Sequence, residues 1–395
     1  MMRKHLLTVV PLLLLAVSCG GDSDGPSGPV DEGQTAVAGC SDGAMSSGAL
    51  YRICFPADWN GQLVVYAHGY VRPDEPLTIH DDELAGVSVS SAVTGLGYAF
   101  ATTSYRANGL VADVAVEDLL DLDDRFRQLY KPDPTSSYVV GVSEGGLVAA
   151  LAAELDPARF SGALAACGPI GDFATQIDYI GDFRVVFDYF FPGVLPGSVI
   201  EVPDELRSGW ESQYVPAVLT ALAADPASTA QLLHVTGAPV DGNDISSIGE
   251  TVIGILWYNV FATEDAQLRL GGQPFDNTAR EYTGSFDDAA LNAGVGRFTA
   301  DPAARAAVDR FNASGELDVP LVTPAHGNAR PVVAEQHTGR GADSLRAAGY
   351  DGDLALEVRV GRDAHPSILW SIGCRVKMTG PSGPTSTFSS SRTVC

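Results

Sequence analysis

The segment Gly141-Val142-Ser143-Glu144-Gly145-Gly146 is the feature that most restricts what this chain can fold into. It follows the β-rich residues 137–140 and precedes the apolar residues 147–155, a run that is typical of a buried helix. A serine between glycines at a strand-to-helix corner requires a turn so tight that the flanking positions have no room for side chains. The serine is then presented at the end of a sheet, near the positive end of the following helix. The segment therefore predicts an α/β fold that displays Ser143.

Strands and helices are predicted to alternate around this corner. Residues 63–67, 98–103 and 160–167 have the composition of buried strands, and residues 111–130 have apolar side chains at helical spacing. Residues 319–323 and 355–360 are predicted as the last two strands. Strands separated by helices of this length indicate a mostly parallel central sheet.

The alternation stops between Gly168 and Asp318. A connection of this length far exceeds one crossover helix, and it contains helix-compatible segments such as residues 215–224. We expect a mainly helical cap over the sheet. Its aromatic residues form either the core of the cap itself or the lining of a substrate groove, and the sequence leaves both open. These aromatic residues are Tyr179, Phe183, Phe187, Tyr189, Phe190 and Phe191.

The first 19 residues are predicted to be a lipoprotein-type signal peptide outside the fold. A basic start is followed by the apolar residues 6–17, a run too short to span a bilayer. The run ends in Ala16-Val17-Ser18-Cys19, which resembles the lipobox of bacterial lipoproteins and implies membrane attachment through a lipidated Cys19. Plain secretion is the alternative. Residues 20–39 are polar and rich in glycine and serine, which indicates a flexible linker.

Export outside the cytoplasm permits disulfides. Cys40 with Cys54 and Cys374 with Cys395 are the natural local pairs, although sequence does not fix connectivity. Cys167 is expected to be a buried free thiol. No C-x-x-C or H-E-x-x-H spacing occurs, so no zinc motif and no metal are predicted. Acidic residues outnumber basic ones 49 to 24, a balance that repels phosphate backbones and argues against nucleic acid as a partner.

Acyl transfer by Ser143 needs a base, an acid that orients the base, and donors for the oxyanion. The candidate base is His365, which follows the predicted strand 355–360; the other downstream histidines are His234, His326 and His337. The candidate oxyanion donors are the backbone N–H groups of Tyr70 and Glu144, because one should follow the strand 63–67 and the other the serine. Their side chains are expected at the pocket mouth. His68 is predicted to be a structural support.

With these residues in order, the chain resembles the α/β-hydrolase superfamily, and in particular secreted bacterial serine esterases. The resemblance is carried by residues 65–70, 97–106, 141–146 and the loop around His365, and it spans about residues 50–370 apart from the cap. It implies a mostly parallel sheet flanked by helices, with a first core part at 40–173, a cap or lid at 174–310 and a second core part at 311–395. It also implies cleavage of a carboxylic ester through an acyl-serine intermediate without a cofactor.

One position departs from that resemblance. Arg330 stands where the family pattern places the acid, and an arginine cannot accept the histidine N–H or stabilise an imidazolium. The acid is therefore Asp172, Glu335 or Asp343, or else the protein is an impaired or non-catalytic binding protein on a hydrolase scaffold. A serine peptidase is a further alternative. The cap suits lipid, aromatic or polyester substrates, and equally a small ester.

Overall fold

We describe a computed structural model of the chain over residues 36–84, 87–240 and 246–313, with the backbone of residues 321–323 and 332–333. Within this part of the chain, eight strands form one sheet in the order β1-β2-β4-β3-β5-β6-β7-β8. The strands are β1 (Gly39–Ala44), β2 (Leu50–Phe55), β3 (Gln62–Ala67), β4 (Ala99–Thr103), β5 (Ser136–Val142), β6 (Gly162–Ala166), β7 (Leu321–Thr323) and β8 (Val332–Val333).

The central five strands of the sheet are parallel to one another. β4, β3, β5, β6 and β7 pair in parallel, whereas β1, β2 and β8 join the sheet antiparallel to their neighbours. This confirms the mostly parallel sheet. A separate two-residue ladder pairs residues 83–84 with 87–88.

Ten α-helices accompany the sheet in the described residues: α1 (Val89–Gly95), α2 (Ala112–Leu129), α3 (Glu144–Leu155), α4 (Phe173–Phe190), α5 (Asp204–Ser208), α6 (Val215–Ala224), α7 (Pro226–Thr236), α8 (Ser246–Leu270), α9 (Asp288–Gly294) and α10 (Pro302–Ala307). A π-helical turn, Trp210–Tyr214, precedes α6, and a 3₁₀ turn, Val308–Phe311, follows α10. The helices predicted at 111–130, 147–155 and 215–224 correspond to α2, α3 and α6.

Helices cover both faces of the sheet. Along β3, Leu63 and Val65 belong to the core cluster that contains α2 and α3, whereas Tyr66 belongs to the cluster of α1 on the opposite face. Successive side chains of a strand point to opposite faces, so a strand that is buried on both faces reads as one continuous apolar run. The fold class expected from the resemblance is therefore confirmed: an α/β-hydrolase sheet flanked by helices.

Residues 173–311, here called the helical insertion, lie between β6 and β7 and contain α4 to α10. The insertion has its own hydrophobic cluster, in which Phe183, Phe187 and Trp210 are almost fully buried. Four of the six predicted aromatic residues are buried there and the other two pack against it, so this cluster is the core of the insertion rather than a groove lining. No described helix is long and apolar enough to cross a membrane.

Cys40 and Cys54 face each other across the β1–β2 ladder and form a disulfide, as predicted. Cys167 is also disulfide-bonded, so the prediction of a free thiol was wrong. The apolar run around Cys167 indicated a buried strand end but carried no information on which segment lies beside it. Cys374 and Cys395 lie outside the described residues, so their pairing stays a prediction.

Candidate active site

The corner between β5 and α3 has the tight turn that its glycines predicted. Ser143 takes a left-handed backbone conformation, φ 57° and ψ −127°, which is costly for a residue with a side chain. Its N–H donates to the carbonyl of Ala166 at 2.9 Å, and its carbonyl accepts the N–H of Gly146 at 2.8 Å. The backbone is thereby fixed, and the half-buried hydroxyl is left facing a cavity.

The glycines around Ser143 are required by close backbone contacts. A Cβ atom at Gly141 would lie 1.9 Å from the carbonyl oxygen of Gly145, and one at Gly145 would lie 2.1 Å from that of Ala67. A Cβ atom at Gly146 would lie 2.9 Å from the Cα of Gly168. Each contact is shorter than van der Waals packing allows, so the corner forms only with glycine at these positions.

Backbone strain concentrates at the carboxyl ends of three parallel strands. Three non-glycine residues of the described chain have positive φ: Tyr105 (54°), Ser143 (57°) and Cys167 (54°). They follow β4, β5 and β6, at the carboxyl ends of the strands, where ligands of open α/β sheets bind. Such residues cost about 1–3 kcal/mol each and cluster at functional sites.

The loop after β3 packs directly beside the serine. A Cβ atom at Gly69 would lie 3.3 Å from the Cβ of Ser143 and 3.8 Å from its Oγ. The next residue, Tyr70, lines the same cavity as Ser143 and Glu144. The structure therefore brings the two residues predicted as oxyanion donors to the predicted nucleophile.

His68 has the contacts of a structural support. Its imidazole is 2% exposed, its Nδ1 lies 2.7 Å from the carbonyl oxygen of Gly69, and its ring stacks on Tyr105 with the centroids 4.1 Å apart. Burial lowers the pKa of His68 to about 4, so the ring is neutral at neutral pH.

The side chain of Glu144 is buried rather than extended to the pocket mouth. It is 7% exposed, and its Oε1 accepts the backbone N–H of Val111 at 3.0 Å. Burial raises the pKa of Glu144 to about 8, and the neighbouring Asp265 and Asp113 raise it further, against the opposing effects of that N–H and of Arg269. At neutral pH this carboxyl group is therefore mostly protonated.

A cavity of about 170 Å³ opens in front of Ser143, between the sheet edge and the helical insertion. Several polar side chains of its wall are held by hydrogen bonds to the scaffold: Asn259 donates to the carbonyl of Val199, Gln267 to that of Ile200 and Gln273 to that of Thr299. Its apolar wall in the described chain consists of Leu110, Pro169, Phe173, Ile177, Ile180, Val199, Ile200, Ala262, Ala266, Pro274 and Phe275. No arginine, lysine or aspartate of the described residues lines it.

His365 lies outside the described residues, as do His326 and His337. The candidate acids Glu335 and Asp343, and the departure at Arg330, lie there too. His234 is in α7 and does not line the cavity.

Asp172, the remaining candidate acid, caps the N-terminus of α4. Its carboxylate accepts the N–H groups of Ala174 at 3.0 Å and Thr175 at 3.3 Å, and the hydroxyl of Thr175 at 2.9 Å. These are the contacts of an ordinary N-cap, and its part in a triad stays a prediction.

Asp265, in α8 of the insertion, contacts the loops beside the cavity and was not predicted from the sequence. It accepts hydrogen bonds from the phenol of Tyr70 and from the backbone N–H of Leu110. Its neighbour Glu264 is exposed, and nothing in the local pattern distinguishes the two acids. Within the described part of the chain, no group of three or more His, Cys, Asp or Glu residues is arranged to hold a metal ion.

Comparisons by sequence find no match for this chain among protein families or among curated proteins. Solved structures that resemble it include Est1E from Butyrivibrio proteoclasticus, at 20% identity and a TM-score of 0.27, covering 37% of this chain and 56% of Est1E. XC6422 from Xanthomonas campestris, a serine hydrolase without a lid, matches at 15% identity and a TM-score of 0.28, over 35% of this chain and 65% of its own.

A proline iminopeptidase from Mycobacterium smegmatis covers more of the chain, 72% of this chain and 81% of its own, at 11% identity and a TM-score of 0.36. The chain spans less than two thirds of Est1E and of XC6422. An arylesterase is also among the solved structures that resemble the chain. At such identities, function is inferred from the site itself.

Proposed function

We propose that this chain, which has an α/β-hydrolase fold, is a serine hydrolase that cleaves carboxylic esters outside the cytoplasm. The observation that carries the proposal is the strained corner between β5 and α3, which presents the Ser143 hydroxyl to a cavity next to the Gly69-Tyr70 loop. A strained serine at this place is what nucleophilic attack from the end of a sheet requires.

In the proposed reaction, Ser143 Oγ attacks the ester carbonyl carbon while a base, for which His365 is the candidate, takes the hydroxyl proton. The backbone N–H groups of Tyr70 and Glu144 donate hydrogen bonds to the oxyanion of the tetrahedral intermediate. Collapse of the intermediate breaks the bond to the alcohol oxygen, which leaves with the proton from the base. Water then hydrolyses the acyl-serine by the same steps and frees the carboxylic acid.

The lining of the cavity favours a substrate whose bound group is uncharged and apolar. Its described wall is largely apolar, and its one carboxyl group, that of Glu144, is mostly protonated at neutral pH. A charged substrate group would lose its hydration there without gaining a counter-ion. An apolar cavity of about 150 Å³ holds a benzene molecule, so a short acyl chain or a single ring suits this site.

The proposal predicts that Ser143→Ala abolishes ester hydrolysis. With p-nitrophenyl butyrate as substrate, we expect kcat to fall by about 10⁴-fold or more, because the nucleophile is lost while the fold is kept. Ser208→Ala is the matched control, since Ser208 is exposed in α5 and its hydroxyl bonds only the local carbonyl of Glu205.

A fluorophosphonate probe checks the same proposal without a substrate. The folded wild-type protein should be labelled at Ser143, and the Ser143→Ala variant should not. Failure of the folded wild-type protein to react with both the ester and the probe would refute the proposal and favour a non-catalytic protein on this scaffold.

A further inference from the structure

Asp265 is a buried carboxylate that the reaction steps do not use. Its residue is 5% exposed and belongs to α8, in the helical insertion. Its Oδ2 accepts the backbone N–H of Leu110 at 2.6 Å and the phenol O–H of Tyr70 at 3.3 Å. Its Oδ1 accepts from the guanidinium of Arg269, one turn further along the helix, at 3.3 Å. A buried charge needs such partners, and two of these come from outside the insertion.

The backbone next to Asp265 is shaped to let this carboxylate approach. Gly109 has a φ of +97°, and a Cβ atom there would lie 2.5 Å from Asp265 Oδ2. Arg269 extends the contact by donating to the carbonyl of Asn108 at 2.9 Å. Residues 108–111, here called the bridging loop, are therefore held against α8 at successive positions.

The bridging loop also contacts the elements that carry the oxyanion donors. The N–H of Gly109 donates to the carbonyl of Val71 at 2.8 Å, next to Tyr70. The N–H of Val111 donates to the side chain of Glu144, whose own N–H is the other predicted donor. The bridging loop thus connects Asp265 to the residues on both sides of the predicted oxyanion hole, Tyr70 and Glu144.

A second group of contacts joins α8 to the loop after β3. The guanidinium of Arg72 lies 4.3 Å from the ring centroid of Phe261, and the ring of Tyr70 packs edge-on against Trp257 at 6.2 Å. Ala262 and Ala266, on either side of Asp265, line the cavity. The same helical turns therefore contact the substrate space and the predicted oxyanion loop.

We propose that Asp265 is a positioning residue, which fixes Tyr70 and the bridging loop so that the backbone N–H groups of Tyr70 and Glu144 point at the forming oxyanion. This inference rests on the proposed function. In this role the helical insertion helps to hold the oxyanion donors in place. Asp265 itself does not bind the substrate. Its loss should lower kcat, because an oxyanion donor acts in the transition state, and should leave KM almost unchanged.

The test compares Asp265→Ala, Asp265→Asn and Tyr70→Phe with Glu264→Gln in p-nitrophenyl butyrate hydrolysis. Glu264 is the matched control, because it is the adjacent acid in α8 and its exposed side chain pairs with Arg207 at 3.0 Å. We expect Asp265→Ala to lower kcat by about 10- to 100-fold with KM within about twofold, the cost of a misplaced catalytic group.

Asp265→Asn should retain more of kcat than Asp265→Ala, because its amide oxygen still accepts from Leu110 and Tyr70, while its NH2 group loses the bond that Oδ1 accepts from Arg269. Tyr70→Phe keeps the backbone N–H and the buried carboxylate, so it should fold, and it should lower kcat by a smaller factor. Adding Tyr70→Phe to Asp265→Ala should cause little further loss, since the phenol then keeps only the carbonyl oxygen of Phe261, at 3.4 Å, as an acceptor. An unchanged kcat in both Asp265→Ala and Tyr70→Phe would overturn the proposal. So would a rise in KM with kcat unchanged.

Hydrogen–deuterium exchange measures the same coupling without any reaction. Asp265→Ala should accelerate exchange in peptides that cover residues 69–72 and 108–111, and Glu264→Gln should not. If the wild-type protein fails to cleave esters but these peptides respond, the proposed function is wrong and the positioning contacts are right. If exchange in these peptides stays as in the wild type, Asp265 does not position them.

Discussion

At the scale of single residues, Ser143 and Glu144 are neighbours in the chain with opposite environments. The serine is half-buried and faces the cavity, whereas the glutamate is buried and bonds the backbone of Val111. A carboxyl group kept protonated beside a predicted oxyanion site leaves that site without a negative charge. Ionisation of Glu144 would place such a charge next to the group that must become negative in the transition state.

Replacing Glu144 with glutamine should remove a pH dependence of the wild-type protein. The pKa of Glu144 is raised from its ordinary value of 4.5 to about 8, so the wild-type kcat should decline as the pH rises through about 8. In Glu144→Gln the amide oxygen can still accept from Val111 but never ionises, and kcat should show no decline as the pH rises through about 8. A pH–rate profile for p-nitrophenyl butyrate checks this.

The stability of the two proteins gives an independent check. The folded state binds the Glu144 proton more tightly than the unfolded state, so this group favours folding fully below about pH 4.5. The benefit is lost as the pH rises through about 8. The wild-type protein should therefore lose stability relative to Glu144→Gln over this range in urea unfolding. If the free energy of unfolding changed with pH in the same way in both proteins, Glu144 would not be held protonated. Glu264→Gln serves as the exposed control.

At the scale of elements, the strand–turn–helix corner depends on glycines, because the absence of a Cβ atom lets the backbones of neighbouring elements approach closely. The corner brings the backbone of β5 against α3, and α3 against β3 and the end of β6, at distances that no Cβ atom fits. Gly254, in the interior of α8, has a different role, because a Cβ atom there meets nothing within 4 Å. Gly141, at the corner, and Gly254 therefore make a matched pair for experiment.

Gly141→Ala should destabilise the protein by more than about 3 kcal/mol, because the new Cβ atom would overlap the carbonyl oxygen of Gly145. Gly254→Ala should instead stabilise it by about 0.5–1 kcal/mol, since alanine favours a helix interior and finds open space. Urea unfolding measures both effects. Equal midpoints for the two variants would contradict the close approach at the corner.

Elements with a strong local pattern could be predicted from the sequence. The strands near residues 63–67 and 98–103 and helices α2, α3 and α6 have apolar residues at a clear period, and the turn at Ser143 has glycines at fixed offsets. β1 could not be predicted, because its residues are polar and exposed and it is held by pairing with β2 and by the Cys40–Cys54 disulfide. The role of Asp265 could not be predicted either, since it depends on where α8 lies relative to loops far away in the chain.

At the scale of the whole molecule, the chain is strongly acidic, with a formal charge of −25, and has a disulfide between β1 and β2. Disulfides persist in oxidising compartments outside the cytoplasm, which supports the proposal of export. Attachment of a lipid to Cys19 is the predicted means of retention at the cell envelope. The acidic surface would repel anionic lipid headgroups, so retention there would depend on the lipid anchor.

Expression of the full chain in a bacterial host tests this anchor. Metabolic labelling with a palmitate analogue should mark the protein, which should sediment with membranes. Cys19→Ala should abolish both the label and the sedimentation. Ser18→Ala keeps a small residue before the cysteine and should retain both. A secreted, unlabelled wild-type protein would refute lipid attachment and leave plain secretion.

The position of α8 has a consequence for engineering this scaffold. A minimal catalyst made by excising residues 173–311, or a chimera with an insertion taken from another protein, would lose the acceptor for the N–H of Leu110 and the partner of the Tyr70 phenol. Graft boundaries should therefore keep the turns of α8 around residues 261–269, or supply a replacement carboxylate at the same place.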